Sequence, residues 1–128
     1  MKIEHLAIWV SDLEASKAFY TTYFQARPGE KYVNPPKKFT SYFLSFESGA
    51  RLELMHRPDI SRILDAGKEA LGLTHFAISV GAKTKVDDLT EKLRKDGHTI
   101  VGEPRTTGDG YYESVVLDPE GNRIEITE

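Results

Sequence analysis

Two segments of this chain are near-copies of two others, and nothing else in it constrains the fold as much. "HLAIWV" at 5–10 returns as "HFAISV" at 75–80: His, an apolar residue, Ala, Ile, a variable position, Val. "GARLELM" at 49–55 returns as "GNRIEIT" at 121–127, with Gly, Arg, an aliphatic, Glu and a second aliphatic in the same order. The first pair is offset by 70 residues (5 to 75) and the second by 72 (53 to 125). Repetition of two separate motifs at nearly one spacing is the mark of a duplicated unit. The chain therefore reads as two modules, 1–57 and 73–128, each beginning with His and ending with Glu. Between them, 58–72 reads as a linker with a short amphipathic helix at about 59–70.

The local patterns support equivalent modules. Residues 3–10 alternate as a strand, with Leu6, Ile8 and Val10 on one face and Ile3, His5, Ala7 and Trp9 on the other. "SDLE" from Ser11 has the form of a capping box, and Leu13, Phe19, Tyr20, Tyr23 and Phe24 follow helical spacing. Residues 39–46 and 50–56 read as strands turning at Ser48-Gly49. The second module repeats the order: a strand at 74–80, a helix at about 85–96 with Gly97 as its C-terminal cap, and strands at 98–102, 111–117 and 122–127. "DPEG" joins the last two.

Alternation also says where the charged residues point. In "RLELM", Leu52 and Leu54 share one face and Glu53 takes the other. If the aliphatic face of each half packs on its helix, His5, Glu53, His75 and Glu125 all lie on the opposite face. A duplication about a pseudo-two-fold axis would bring the two imidazoles and two carboxylates together, and the expected object between them is a metal ion. There is no cysteine, so disulfides and thiolate sites are excluded and any metal takes nitrogen and oxygen ligands. Two imidazoles and two carboxylates leave positions open on a six-coordinate ion, which suits Ni²⁺, Co²⁺, Mn²⁺, Fe²⁺ or Zn²⁺.

Other candidates carry blander alternatives. Trp9 shares the face of His5 and is either a pocket wall or plain core. Arg51 and Arg123, two residues before each Glu, either hold an anionic substrate group or neutralise carboxylates. Tyr111 and Tyr112 alternate, so one of them is expected on the site face. His56 and His98 read as strand-end or post-cap surface residues. Lys37 and Lys38 after "NPP" mark a solvated loop, and "GDG" at 108–110 is a turn without the strand-to-helix setting of a phosphate loop.

Composition sets the outer limits. With 17 Lys and Arg against 20 Asp and Glu, the net charge of −3 gives no basic footprint for nucleic acid. The start of the chain, "MKIEHLAIWVSDLE", fits neither a signal peptide nor a membrane span, so no membrane association is expected and the cytoplasm is the expected compartment.

"HLAIWVSDLEASKAFY", "THFAISV" and "VVLDPEGNRIEI" resemble the vicinal oxygen chelate superfamily, which takes in glyoxalase I, bleomycin-resistance proteins and extradiol dioxygenases. The resemblance covers essentially the whole chain as a single domain of that kind. It implies an α+β fold of two paired βαβββ modules forming a cupped, eight-stranded mixed sheet with helices outside, usually as a homodimer. Matched position by position, His5, Glu53, His75 and Glu125 resemble the His, Glu, His, Glu metal set of bacterial glyoxalase I (lactoylglutathione lyase). This implies a metal-dependent lyase that detoxifies methylglyoxal, isomerising its hemithioacetal with a thiol such as glutathione to a 2-hydroxyacyl thioester. Glu125 would act as the proton-transferring base and Glu53 as its counterpart. The alternatives are another metalloenzyme chemistry of the superfamily (epimerisation, thiol transfer to fosfomycin, ring-cleaving dioxygenation) or a non-catalytic resistance protein that binds a small molecule. Where many glyoxalases have a "LG" pair after the first helix, this chain has "YFQARPGEKY", and no residue there is assigned to glutathione.

Overall fold

In the computed structural model, residues 2–61, 73–108 and 110–128 are described. The linker helix expected at 59–70 falls largely outside them. Among the described residues the elements run β1 (His5–Trp9), α1 (Leu13–Phe24), β2 (Arg27–Pro28), β3 (Tyr32–Asn34), a 3-10 turn (Pro35–Lys37), β4 (Phe39–Ser45) and β5 (Arg51–His56), then β6 (His75–Ser79), α2 (Lys83–Lys95), β7 (Ile100–Thr106), β8 (Tyr112–Leu117) and β9 (Arg123–Thr127). The chain divides into two compact units, Met1–Asp65 and Ala66–Glu128. The second is a βαβββ module, the unit that the family resemblance implies, and the first has the same order with one short strand more.

In the first unit the strand order is β1-β5-β4-β2, with β3 also on β4. β1 runs parallel to β5, and β4 is antiparallel to it. Leu44, Leu52 and Leu54 are almost completely buried on one side of this sheet, where α1 packs through Leu13, Phe19, Tyr20 and Phe24. Each such side chain removed from water contributes roughly 1.5–3 kcal/mol, which makes this apolar seam the main stabilising element of the unit. The helix starts one residue later than "SDLE" predicts: Asp12 is the N-cap and accepts from the Ala15 N–H at 2.9 Å. Ser11 and Asp12 are both competent caps, and sequence spacing does not choose between them.

Glu14, the expected far end of the capping box, is committed elsewhere. Its carboxylate takes Lys17, Lys31 at 2.9 Å and the Tyr42 hydroxyl at 3.0 Å. These bonds tie α1 to the β2–β3 connection and to β4. Hydrogen bonds from Lys17 first and Lys31 second pull its carboxyl down to about 2 from an ordinary value of 4.5.

The second unit has the order β6-β9-β8-β7, with β6 parallel to β9 and the rest antiparallel. Here α2 covers the sheet with Val86 and Leu93 against Val116, Ile124 and Ile126, all inaccessible to water. Gly97 ends the helix as expected: at φ +89° its N–H bonds the Arg94 carbonyl while His98 N–H bonds that of Leu93, the paired closure that favours glycine. Strand β7 runs on to Thr106, beyond the expected 98–102, and passes through Pro104. Register shifts between Ile100 and Gly102 and between Gly102 and Arg105 accommodate a residue that has no N–H to donate. Among the described residues the nine strands thus form one five-stranded and one four-stranded sheet, and β2 and β3 are additions to the strands read from the sequence.

Candidate functional site

The parallel pairs β1–β5 and β6–β9 repeat one another to the residue. In the first unit His5 pairs with Arg51 and Ala7 with Glu53. In the second, His75 pairs with Arg123 and Ala77 with Glu125. Each histidine therefore lies diagonally across a parallel strand pair from the carboxylate of its own half, on the side away from the helix. Leu52 and Leu54 beside Glu53, and Ile124 and Ile126 beside Glu125, are buried on the helix side and fix that orientation. A one-residue slip would put a carboxylate into the core, so burial of the aliphatics sets the register of the polar face.

His75 and Glu125 meet: Nε2 lies 3.3 Å from Oε2, with 42% and 20% of the two side chains exposed. In the first unit the imidazole turns elsewhere. His5 Nδ1 lies 2.6 Å from a carboxylate oxygen of Glu4, whose other oxygen accepts from Arg51 Nε at 2.7 Å. The hydrogen bonds from His5 first and Arg51 second hold the Glu4 carboxyl below its usual range. Phe43, opposite Glu53 in the sheet, packs edge-on against the His5 ring at 5.3 Å and lies beneath the Arg51 guanidinium at 4.1 Å. Arg51 is thus engaged with a carboxylate, that of Glu4 and not of Glu53.

The remaining candidates separate by face. Trp9 is on the His5 side, 40% exposed, edge-on to Phe39 at 6.1 Å and under the Arg57 guanidinium at 5.6 Å. Arg123 is on the Glu125 side by register. Tyr112 turns to the helix side and donates to Asp87 of α2 at 2.8 Å, a bond that raises its phenol above the ordinary value. Tyr111 precedes β8 and is largely exposed. Sequence reasoning missed Glu4, because neighbours along a strand point to opposite faces, and it missed Glu113, a buried acid on the Glu125 side that pairs with Arg105 at 3.5 Å. Strict alternation back from Glu125 through β8 was the signal that could have found Glu113.

Among the described residues, no three His, Asp or Glu side chains gather closely enough to hold an ion. The one contact made between proposed ligands, His75 with Glu125, still fits metal ligation in its chemistry. Donors each about 2.1 Å from one ion and at roughly 90–110° to one another stand roughly 3.0–3.4 Å apart. The His75–Glu125 separation of 3.3 Å falls in that interval.

The model of the Glyoxalase/Bleomycin resistance protein/Dioxygenase superfamily matches residues 2–126. The chain belongs to that superfamily. A lactoylglutathione lyase of Haemophilus influenzae is 30% identical over 135 aligned positions, covering 100% of this chain and 93% of the relative. An uncharacterised Bacillus subtilis protein, YqjT, is 26% identical over 127 positions, covering 97% and 96%. The trypanothione-dependent glyoxalase I of Leishmania major superposes with a TM-score of 0.79 at 28% identity, over 100% of this chain and 86% of that one. The chain spans 42% of the length of an Arabidopsis thaliana relative and 44% of a maize one. Among the described residues, no helix is long and apolar enough to cross a membrane.

Proposed function

We propose that this member of the superfamily is a divalent-metal-dependent lyase of the glyoxalase I type. It converts the hemithioacetal of a 2-oxoaldehyde such as methylglyoxal and a thiol such as glutathione into a 2-hydroxyacyl thioester. The observation that carries the reading is the matched register of the two halves, each presenting one imidazole and one carboxylate on its helix-free face. The likeness to the Haemophilus lyase over the whole chain supports it.

In this reading one divalent ion, Ni²⁺, Zn²⁺, Co²⁺, Mn²⁺ or Fe²⁺, is held by His5, Glu53, His75 and Glu125. When bound, the ion supplies Lewis-acid polarisation of the substrate oxygens. The proton moves through the chain's own groups. An oxygen of Glu125 takes the proton from the carbon that bears sulfur, and a carboxylate returns it to the neighbouring carbon, with Glu53 as the counterpart on the other half. The hydroxyl proton shifts to the former carbonyl oxygen, so substrate and product are isomers and no outside oxidant or reductant enters. Trp9 and Phe39 line the same face as His5 and offer an apolar wall to the organic part of the adduct. A homodimer belongs to the same reading, and light scattering at micromolar concentration tests it.

The test is to purify the protein, measure bound metal, reload it with Ni²⁺ or Zn²⁺ and follow thioester formation from methylglyoxal and glutathione. Metal-dependent thioester formation is expected. Metal binding without thioester would move the reading to another chemistry of the superfamily, and absence of metal binding would move it to a small-molecule-binding protein.

A further inference from the structure

We infer that Glu4 is a positioning residue that prepares His5, and not His75, as a metal ligand; the inference rests on the ligand role proposed for His5 above. A carboxylate can only accept, so the 2.6 Å contact requires that His5 Nδ1 carry the proton and donate it to Glu4. That choice of tautomer leaves the Nε2 lone pair for an ion. A carboxylate on the second nitrogen also raises the basicity of the first and fixes the ring's direction, and loss of such a partner typically costs 10–100-fold in metal affinity.

Three further contacts hold the arrangement. The Glu4 carbonyl accepts from the Arg51 N–H at 2.9 Å, which extends the β1–β5 ladder by one residue and anchors the Glu4 backbone. Arg51 Nε donates to the Glu4 carboxylate at 2.7 Å, a charge-assisted bond that keeps it turned toward the sheet. Phe43 packs against both the His5 ring and the Arg51 guanidinium, so that imidazole, carboxylate, guanidinium and phenyl close on one another.

Among the described residues the second half has no counterpart. The residue before His75 is Thr74, and it is Nε2 of His75 that approaches Glu125. The duplication has been kept in the strand register and broken here, so the two histidines differ in what orients them. Glu4 touches neither substrate nor ion and acts through His5.

The experiment compares the full-length wild type with Glu4→Ala, Glu4→Gln and Glu30→Gln, the last removing an exposed carboxylate elsewhere in the same unit. Ni²⁺ affinity is measured by chelator competition, and the tautomer of neutral His5 is read in the metal-free protein from its ring ¹⁵N shifts. Expected are an Nδ1–H tautomer in the wild type that is lost in Glu4→Ala and an affinity loss of about 10–100-fold in Glu4→Ala. Glu4→Gln, which keeps an acceptor without the charge, should fall between, and Glu30→Gln should match the wild type. Wild-type Ni²⁺ binding with equal affinity in Glu4→Ala, or an Nε2–H tautomer in the wild type, overturns this inference alone. A wild type that takes up no Ni²⁺ overturns the proposed function and the role of Glu4 with it.

Discussion

His75 and Glu125 stand on adjacent parallel strands, two residues apart on the diagonal, with Nε2 and Oε2 separated by 3.3 Å. The pairing of His75 with Arg123 and of Ala77 with Glu125 sets that diagonal, and burial of Ile124 and Ile126 on the other side maintains it. Glu125→Gln keeps the shape and the hydrogen-bonding oxygen but removes the base. At saturating metal its turnover in thioester formation should fall by about 10²–10⁴-fold, the range for loss of a positioned acid–base group. Its thermal midpoint should stay close to that of the wild type. An unchanged rate in the folded variant would remove Glu125 from the reaction.

Glu14 links α1 to Lys31 and Tyr42 from a largely exposed position, with its carboxyl held down at about 2. A carboxyl depressed in the folded state stabilises it above the ordinary value of 4.5, and that contribution is lost as pH falls toward 2. Glu14→Gln should therefore lower the thermal midpoint at neutral pH, and the gap to the wild type should close on titration through that window. Because water and salt screen the exposed carboxylate, the neutral-pH gap should be small and shrink in high salt. A gap that is constant across the window would show that packing, not charge, underlies it.

Thr90 and Ser114 form a polar joint inside the second core. Thr90 donates to the Val86 carbonyl at 2.6 Å, so the Ser114 hydroxyl, 2.7 Å away, is the donor to Thr90. Both residues are completely buried. Thr90→Val strands the Ser114 hydroxyl and should cost about 1–3 kcal/mol in urea unfolding. The double variant Thr90→Val/Ser114→Ala should be less destabilised than the sum of the two single changes, because it leaves no orphan. Strict additivity would mean that the two hydroxyls do not interact.

The sequence made the faces of the strands legible and the short edge pieces illegible, for physical reasons. His5, Glu53, His75 and Glu125 alternate with aliphatics whose burial admits one register, so their side of each sheet follows from the pattern alone. Arg27–Pro28 and Tyr32–Asn34 are too short to show alternation, and Pro28 lacks the N–H that marks a strand interior. Asp12 displaced Ser11 as the cap because neighbouring cap-competent residues are indistinguishable by spacing. Glu4 was illegible in a different way: its side chain turns back to its own neighbour only because Arg51, 47 residues on, holds it there. Tyr112 obeyed the alternation, which sent it to Asp87 on the helix side.

The central claim is that one ion draws all four ligands from the repeated His and Glu positions. Crystals of the Ni²⁺-loaded protein, with data collected on both sides of the nickel absorption edge, test it most directly. The account predicts a single strong anomalous peak per site with His5, Glu53, His75 and Glu125 donors at about 2.0–2.2 Å, whether one chain or two supply them. A peak bonded to other residues, or one that leaves out either histidine or either glutamate, would contradict it.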